Sequence, residues 1–88
     1  MNKNRRRELM DWVKKAEEWS AQGEELKSEL ENIYTDEQDY FDNMPENLQG
    51  SQRGVDAEEA IDAMNAAIES MDNAIAAAEE AASCVDEI

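Results

Sequence analysis

Each half of the chain carries a ladder of mostly apolar residues that advances alternately by three and four positions. This spacing places one stripe on one side of an α-helix, and such a helix must bury its stripe against another helix. The two ladders therefore predict two long helices that pack on each other. The first ladder consists of Leu9, Trp12, Ala16, Trp19, Gly23, Leu26, Leu30, Ile33, Glu37, Tyr40 and Met44, and the second of Ala57, Ile61, Met64, Ile68, Met71, Ile75, Ala78, Ala82 and Val85.

The segment between the ladders contains Pro45, Gly50 and Gly54, which are typical of a turn. Proline ends the first helix because it lacks a backbone N–H and disfavours helix at the preceding residue. The second helix begins either with Ser51 or with Asp56 as its N-cap. We therefore predict one all-α domain over residues 1–88, an antiparallel, coiled-coil-like two-helix hairpin with helix 1 over about 5–43, a turn over 44–54 and helix 2 over about 55–87.

Two further details of this hairpin follow from the pattern. Thr35 and Gln38 offer a capping box that would split the first helix, but the ladder stays in phase there and favours one helix. Folding the ladders about Gly50 pairs residues whose numbers sum to roughly 101. This register places Leu26 near Ile75, Gly23 opposite Ala78 and Trp19 over Ala82.

The second helix also has a wide face of small residues beside its ladder. Such a face is broader than one partner helix can cover, and it predicts that two hairpins pair into a helical bundle as a homodimer. Helix propensity alone is the alternative explanation for so many alanines. On the first helix, Val13, Tyr34 and Phe41 flank the ladder in the same way. The predicted oligomer face comprises Ala60, Ala63, Ala67, Ala74, Ala77 and Ala81.

Charge is distributed unevenly along the chain, whose net charge is −15. The first 15 residues hold six basic and two acidic side chains, a net +4, and the remaining 73 hold two basic and 21 acidic ones, a net −19. Such a body repels nucleic acid and anionic membranes and attracts basic surfaces. An ordinary solubilising surface is the alternative. The predicted acidic surface comprises Glu58, Asp62, Glu69, Asp72 and Glu79.

The sequence offers no candidate for catalysis or cofactor binding. It has no histidine, one cysteine and no glycine-rich phosphate loop, and adjacent carboxylates on a helix point in different directions. We therefore predict no enzymatic activity, no cofactor and no metal site. We also expect no membrane span and no secretory signal, because no long apolar run is present. The single Cys84 fits a reducing compartment.

Three residues or groups have two interpretations each. Glu37 falls on the ladder, either as a polar residue that sets the register or as the point where the first helix leaves the contact. Arg5, Arg6 and Arg7 either contact phosphate or pair with the acidic C-terminal residues at the same end of the hairpin. Cys84 is either a small hydrophobic residue or the partner of an intermolecular disulfide.

Residues 40–53 (YFDNMPENLQGSQR), followed by EEAID at 58–62, resemble a set of small, uncharacterised acidic proteins of bacteriophages and gut bacterial mobile elements. The match covers roughly residues 30–80, and the turn motif is its specific part. The resemblance implies a phage-type origin and a helical hairpin. Small acidic phage proteins are often inhibitors of host defence, including anti-CRISPR proteins.

These observations favour a non-enzymatic protein-binding module in the cytoplasm of a bacterial host cell. Its acidic surface would dock on a basic, nucleic-acid-binding site of a host defence protein, as a DNA mimic does, with no direct contact to nucleic acid or membrane. The alternative is a self-associating structural bundle. Residues at the tip of the hairpin would anchor the partner protein: Met44, Leu48, Gln49, Gln52 and Arg53.

Overall fold

The computed structural model describes all 88 residues, and α-helix is its only regular secondary structure. Helix α1 spans Lys3–Asp42, a single turn of helix α2 spans Glu46–Gln49, and helix α3 spans Gln52–Asp86. Helices α1 and α3 pack along each other in opposite directions and form a rod of 69 × 15 × 15 Å. The predicted all-α antiparallel hairpin is confirmed.

The ends of the long helices are set by side-chain caps. The Asn2 side chain accepts a hydrogen bond from the Arg5 N–H at 2.8 Å, so α1 begins at Lys3. Ser51, one of the two predicted N-caps, performs the same role for α3 with the Gly54 N–H. Thr35 donates its hydroxyl to the Glu31 carbonyl at 2.9 Å, and α1 continues through it without a break.

The turn is more ordered than the predicted loop over 44–54, because it contains α2 and the first residues of α3. The side-chain amide of Gln49 donates to the carbonyl oxygens of Phe41 and Met44, at 3.3 and 3.4 Å, and ties α2 to the end of α1. Gly54 lies directly against α2, where an added Cβ would lie 1.9 Å from the Gln49 carbonyl oxygen. Only glycine permits this approach of α2 to the start of α3.

On α3, the contact with α1 follows the predicted ladder. Ala57, Ile61, Ile75 and Ala82 are buried, and the other members of the ladder are half-buried. These side chains form one side of a thin hydrophobic core.

On α1, the predicted ladder is wrong at every second position. The structure buries or half-buries the neighbouring residue instead, so the core contains Val13, Ser20, Lys27, Tyr34 and Phe41. Gly23, a member of the predicted ladder that is buried, lets the helices approach closely, since a Cβ there would lie 3.1 Å from Ile75 Cγ1. The five displaced residues are exposed to 43–59%: Trp12, Trp19, Leu26, Ile33 and Tyr40.

The register of the two helices also differs from the prediction. Gly23 packs against Ile75 and Met71 rather than Ala78. Trp19 lies beside Ala78 and Ala81 rather than over Ala82. Glycine at position 23 leaves room for the branched side chain of Ile75 at the contact between the helices.

Candidate protein-interaction surfaces

One long side of the rod carries carboxylates from both helices. Glu17 and Glu24 of α1 face Glu79 and Asp86 of α3 across a shallow groove. The floor of this groove is formed by small residues, including Ser20 and Ala82. We call it the acidic groove. Both of its walls present negative charge to an incoming partner.

The predicted acidic residues of α3 lie in two rows. Glu58, Asp72 and Glu79 are spaced by multiples of seven and belong to the row that lines the acidic groove. Asp62 and Glu69 form a second row, which continues at seven-residue intervals to Ala76 and to Ser83 at the edge of the groove. All five side chains are exposed.

The ion pair between Lys27 and Asp72 joins the two helices on the acidic side, with the ammonium and carboxylate groups 2.5 Å apart. The Lys27 side chain is one-fifth exposed. The hydrogen bond to Asp72 raises the pKa of Lys27 above its ordinary value near 10.5, and the charges of Asp72, Glu31 and Glu24 act in the same direction. The sequence pattern did not single out this pair.

The opposite long side is apolar. The apolar stripe, which we define as Trp12, Trp19, Leu26, Ile33 and Tyr40, runs along α1 with one residue every seven positions. At 1.5 Å per residue it is about 42 Å long. The sequence identified these residues as apolar and regularly spaced, but it assigned them to the core.

The predicted oligomer face of α3 lies beside this stripe. Ala81 and Ala78 line a groove together with Trp12 and Trp19. Ala74, Ala67 and Ala60 precede Ala81 at seven-residue intervals and extend this row along the same side of α3. Ala60 is half-buried, and the other five are exposed: Ala63, Ala67, Ala74, Ala77 and Ala81.

The tip brings together four of its five predicted partner-binding residues. Met44, Leu48, Gln52 and Arg53 line one groove with Tyr40. Leu48 is 47% exposed, and the Gln52 amide donates to Asp56 at 2.7 Å. Gln49 instead holds the turn together through its bonds to α1. Gln49 is therefore the one predicted tip residue that does not line this groove.

The remaining sequence features add no further site. The three arginines at the start of α1 are exposed: Arg5, Arg6 and Arg7. None of them forms an ion pair, and the structure contains one ion pair, between Lys27 and Asp72. Cys84 is an exposed free thiol, and Glu37 is half-buried at the helix contact. The hydroxyl of Ser20 is buried without a hydrogen-bond partner.

No group of three or more side chains is arranged to hold a metal ion. None of the helices has the combination of length and apolar character that crossing a membrane requires. Comparisons with models of protein families, with curated proteins and with solved structures found no match. The candidate interaction sites are the acidic groove, the apolar stripe and the groove at the tip.

Proposed function

We propose that this chain is a non-enzymatic protein-binding module whose acidic groove docks on a basic surface of another protein. The observation that supports this most directly is the position of Glu17, Glu24, Glu79 and Asp86 on both walls of one groove. Two facing rows of carboxylates match the charge of a nucleic-acid backbone in sign and in linear form. A basic site that binds nucleic acid is therefore the best-suited partner surface.

Binding would proceed in two steps. Long-range attraction by the acidic body accelerates the encounter with a basic surface. Burial of an apolar anchor at the tip then slows dissociation, and Leu48 in the tip groove is the most exposed candidate. Arg53 and Gln52 border this groove and supply hydrogen-bond donors to the partner.

The turn motif adds a biological setting to the proposal. Its resemblance to small acidic phage proteins favours an inhibitor of a host defence protein, of the anti-CRISPR type, acting in the bacterial cytoplasm. The partner would then be a defence nuclease or one of its subunits that bind nucleic acid.

Capture from a bacterial lysate at low salt, with identification by mass spectrometry, tests this function. We expect captured proteins with basic nucleic-acid sites, and their release between about 50 and 300 mM salt because surface charges become screened. The variant Glu17→Gln/Glu24→Gln/Glu79→Gln should lose them. A control with charges removed from a row of α3 that does not line the groove, Glu59→Gln/Glu80→Gln, should retain them. Equal capture by both variants would contradict the assignment to the groove.

A self-associating structural bundle is the second candidate function. It is favoured by the apolar stripe, because large contiguous apolar surfaces on small proteins mark interaction sites. The two candidates differ in their salt response. Apolar self-association should persist at about 300 mM salt, where charge-driven docking is weakened.

A further inference from the structure

The apolar stripe has a form that only a long partner can cover. Its five side chains are large, each is 43–59% exposed, and they extend over about 42 Å of a single straight helix. The seven-residue spacing is the one that helices use to pack side by side in coiled coils. A partner that covers the whole stripe is therefore another helix of about eight turns, lying nearly parallel or antiparallel to α1.

We propose that the occupant is a second copy of this chain, with its α1 antiparallel to the first and the twofold axis at Leu26. The two hairpins then form a four-helix bundle in which α1 packs on the partner's α1 and α3 on the partner's α3. This goes beyond the proposed docking by the acidic groove, because it uses the opposite side of the rod, and it gives the second candidate function a defined partner and geometry. A second copy supplies a stripe of matching length and spacing.

The stripe is self-complementary about Leu26. In an antiparallel pair centred there, Leu26 meets the partner's Leu26, and Trp19 lies opposite the partner's Ile33. Trp12 then lies opposite the partner's Tyr40, an aromatic pair at each end of the contact. A twofold axis requires this kind of pattern, in which the same patch serves both subunits.

Charge selects the antiparallel orientation. The first 15 residues carry a net +4, whereas residues 29–46 hold seven acidic side chains and no basic one. The antiparallel pair places each basic end beside the partner's acidic segment. A pair with both tips at the same end would bring the two acidic segments together, and like charges held close are destabilising.

One ion pair tests this orientation at the level of single residues. Lys15 lines the groove beside Trp12 and Trp19, immediately next to the stripe. Asp36 has the equivalent place between Ile33 and Tyr40. In the antiparallel register Lys15 lies within one residue of the position opposite the partner's Asp36, and the twofold axis makes this pair twice.

The area available is in the range of a stable dimer. With about 200 Å² for a large side chain, the exposed parts of the stripe supply roughly 500 Å² per subunit. A standard interface needs about 800 Å² per partner. The alanine rows of α3, on the same side of the rod, supply the remainder, and their small side chains let the two α3 helices approach closely.

Sedimentation equilibrium measures the proposed dimer directly. Wild-type protein at about 50 µM should sediment as a dimer of 20 kDa, twice the 10.0 kDa chain. Leu26→Lys places two like charges at the twofold axis and should weaken the dimer at least about 100-fold. The matched control Met10→Lys, an exposed apolar residue on the other side of α1, should remain dimeric.

A charge exchange tests the orientation. Lys15→Glu and Asp36→Lys should each weaken the dimer about tenfold, since each removes two ion pairs and creates repulsion. The double variant should recover wild-type affinity. Failure of the double variant to recover, with both single variants weakened, would overturn the antiparallel register. Circular dichroism confirms that each variant is folded.

Two outcomes would overturn the dimer itself: a wild-type monomer at this concentration, or a dimer that Leu26→Lys leaves intact. Failure of this inference is separable from failure of the proposed function. The groove variant Glu17→Gln/Glu24→Gln/Glu79→Gln should still dimerise, and Leu26→Lys should still capture the basic partner.

Discussion

Helices α1 and α3 have similar lengths and share one contact, but their apolar residues are arranged differently. The large apolar residues of α3 lie in the row that packs on α1, and alanines fill the positions beside it. Helix α1 carries apolar residues in two rows, one on each side of the row that contains Leu9, Ala16, Gly23 and Leu30. One row, with Val13, Tyr34 and Phe41, packs in the hairpin, and the other row is the apolar stripe.

The number of apolar rows on a helix follows from the number of neighbours on which it packs. A helix that packs on one neighbour needs one stripe, and a helix that packs on two neighbours needs a wider face. On α1 the wider apolar face consists of large residues, and on α3 it consists of alanines. The additional apolar residues of both helices lie on the same side of the rod, where we propose that a second hairpin packs.

The largest effect is expected at the glycine that joins α3 to the turn. Gly54→Ala should reduce the free energy of unfolding by about 3 kcal/mol, because the new Cβ would collide with the Gln49 backbone and displace α2. Urea denaturation followed by circular dichroism measures this. Gly50→Ala is the control, since nothing lies within 4 Å of a Cβ there. Equal effects would mean that α2 does not pack on α3 as described.

The assignment of the two rows of α1 is tested by two adjacent aromatic residues. Phe41→Ala should cost about 2 kcal/mol of unfolding free energy because Phe41 is half-buried against α3. Tyr40→Ala should cost less than about 0.5 kcal/mol because Tyr40 belongs to the exposed stripe. Both are measured by urea denaturation in a Leu26→Lys background, which removes the proposed dimer. The reverse order of effects would restore the ladder predicted from the sequence.

Ser20 occupies a core position of α1 with an unpaired hydroxyl. Ser20→Ala should raise the free energy of unfolding by about 1 kcal/mol, because it removes a buried polar group without a partner and favours helix. Ser28→Ala, on the exposed surface of the same helix, reports the gain from helix propensity alone. Thermal denaturation compares the two variants. A Ser20→Ala gain no larger than that of Ser28→Ala would show that the hydroxyl is hydrated.

The smallest effect is the pH dependence of the Lys27–Asp72 ion pair. Because the pKa of Lys27 is raised in the folded state, its contribution to stability is fully present below about pH 10 and is lost as pH rises through the folded pKa. Wild-type stability should therefore fall more steeply than that of Lys27→Met between about pH 9 and pH 12. Parallel urea midpoints for the two proteins over this range would mean that the pair adds nothing.

Much of the hairpin is predictable from local patterns. Pro45 and the ladder spacing predict where α1 ends and where α3 packs, and Ser51 supplies a recognisable N-cap. The close approach of Gly54 to α2 is not visible in the sequence, because it depends on the path of the chain through the turn. The acidic groove is only partly predictable, since the sequence shows the carboxylate rows but not which rows face each other.

An antiparallel pair of helices, the packing face of α3 and the positive charge of the first 15 residues are all readable in the amino-acid sequence. Which row of α1 enters the core becomes visible in the packed hairpin alone. Residues 12 and 13 lie about 100° apart on a helix, so both rows are within reach of the same neighbour. The choice depends on how the side chains of α3 fill the space between the helices, as Ile75 does against Gly23. That choice leaves two tryptophans and their apolar neighbours on the surface.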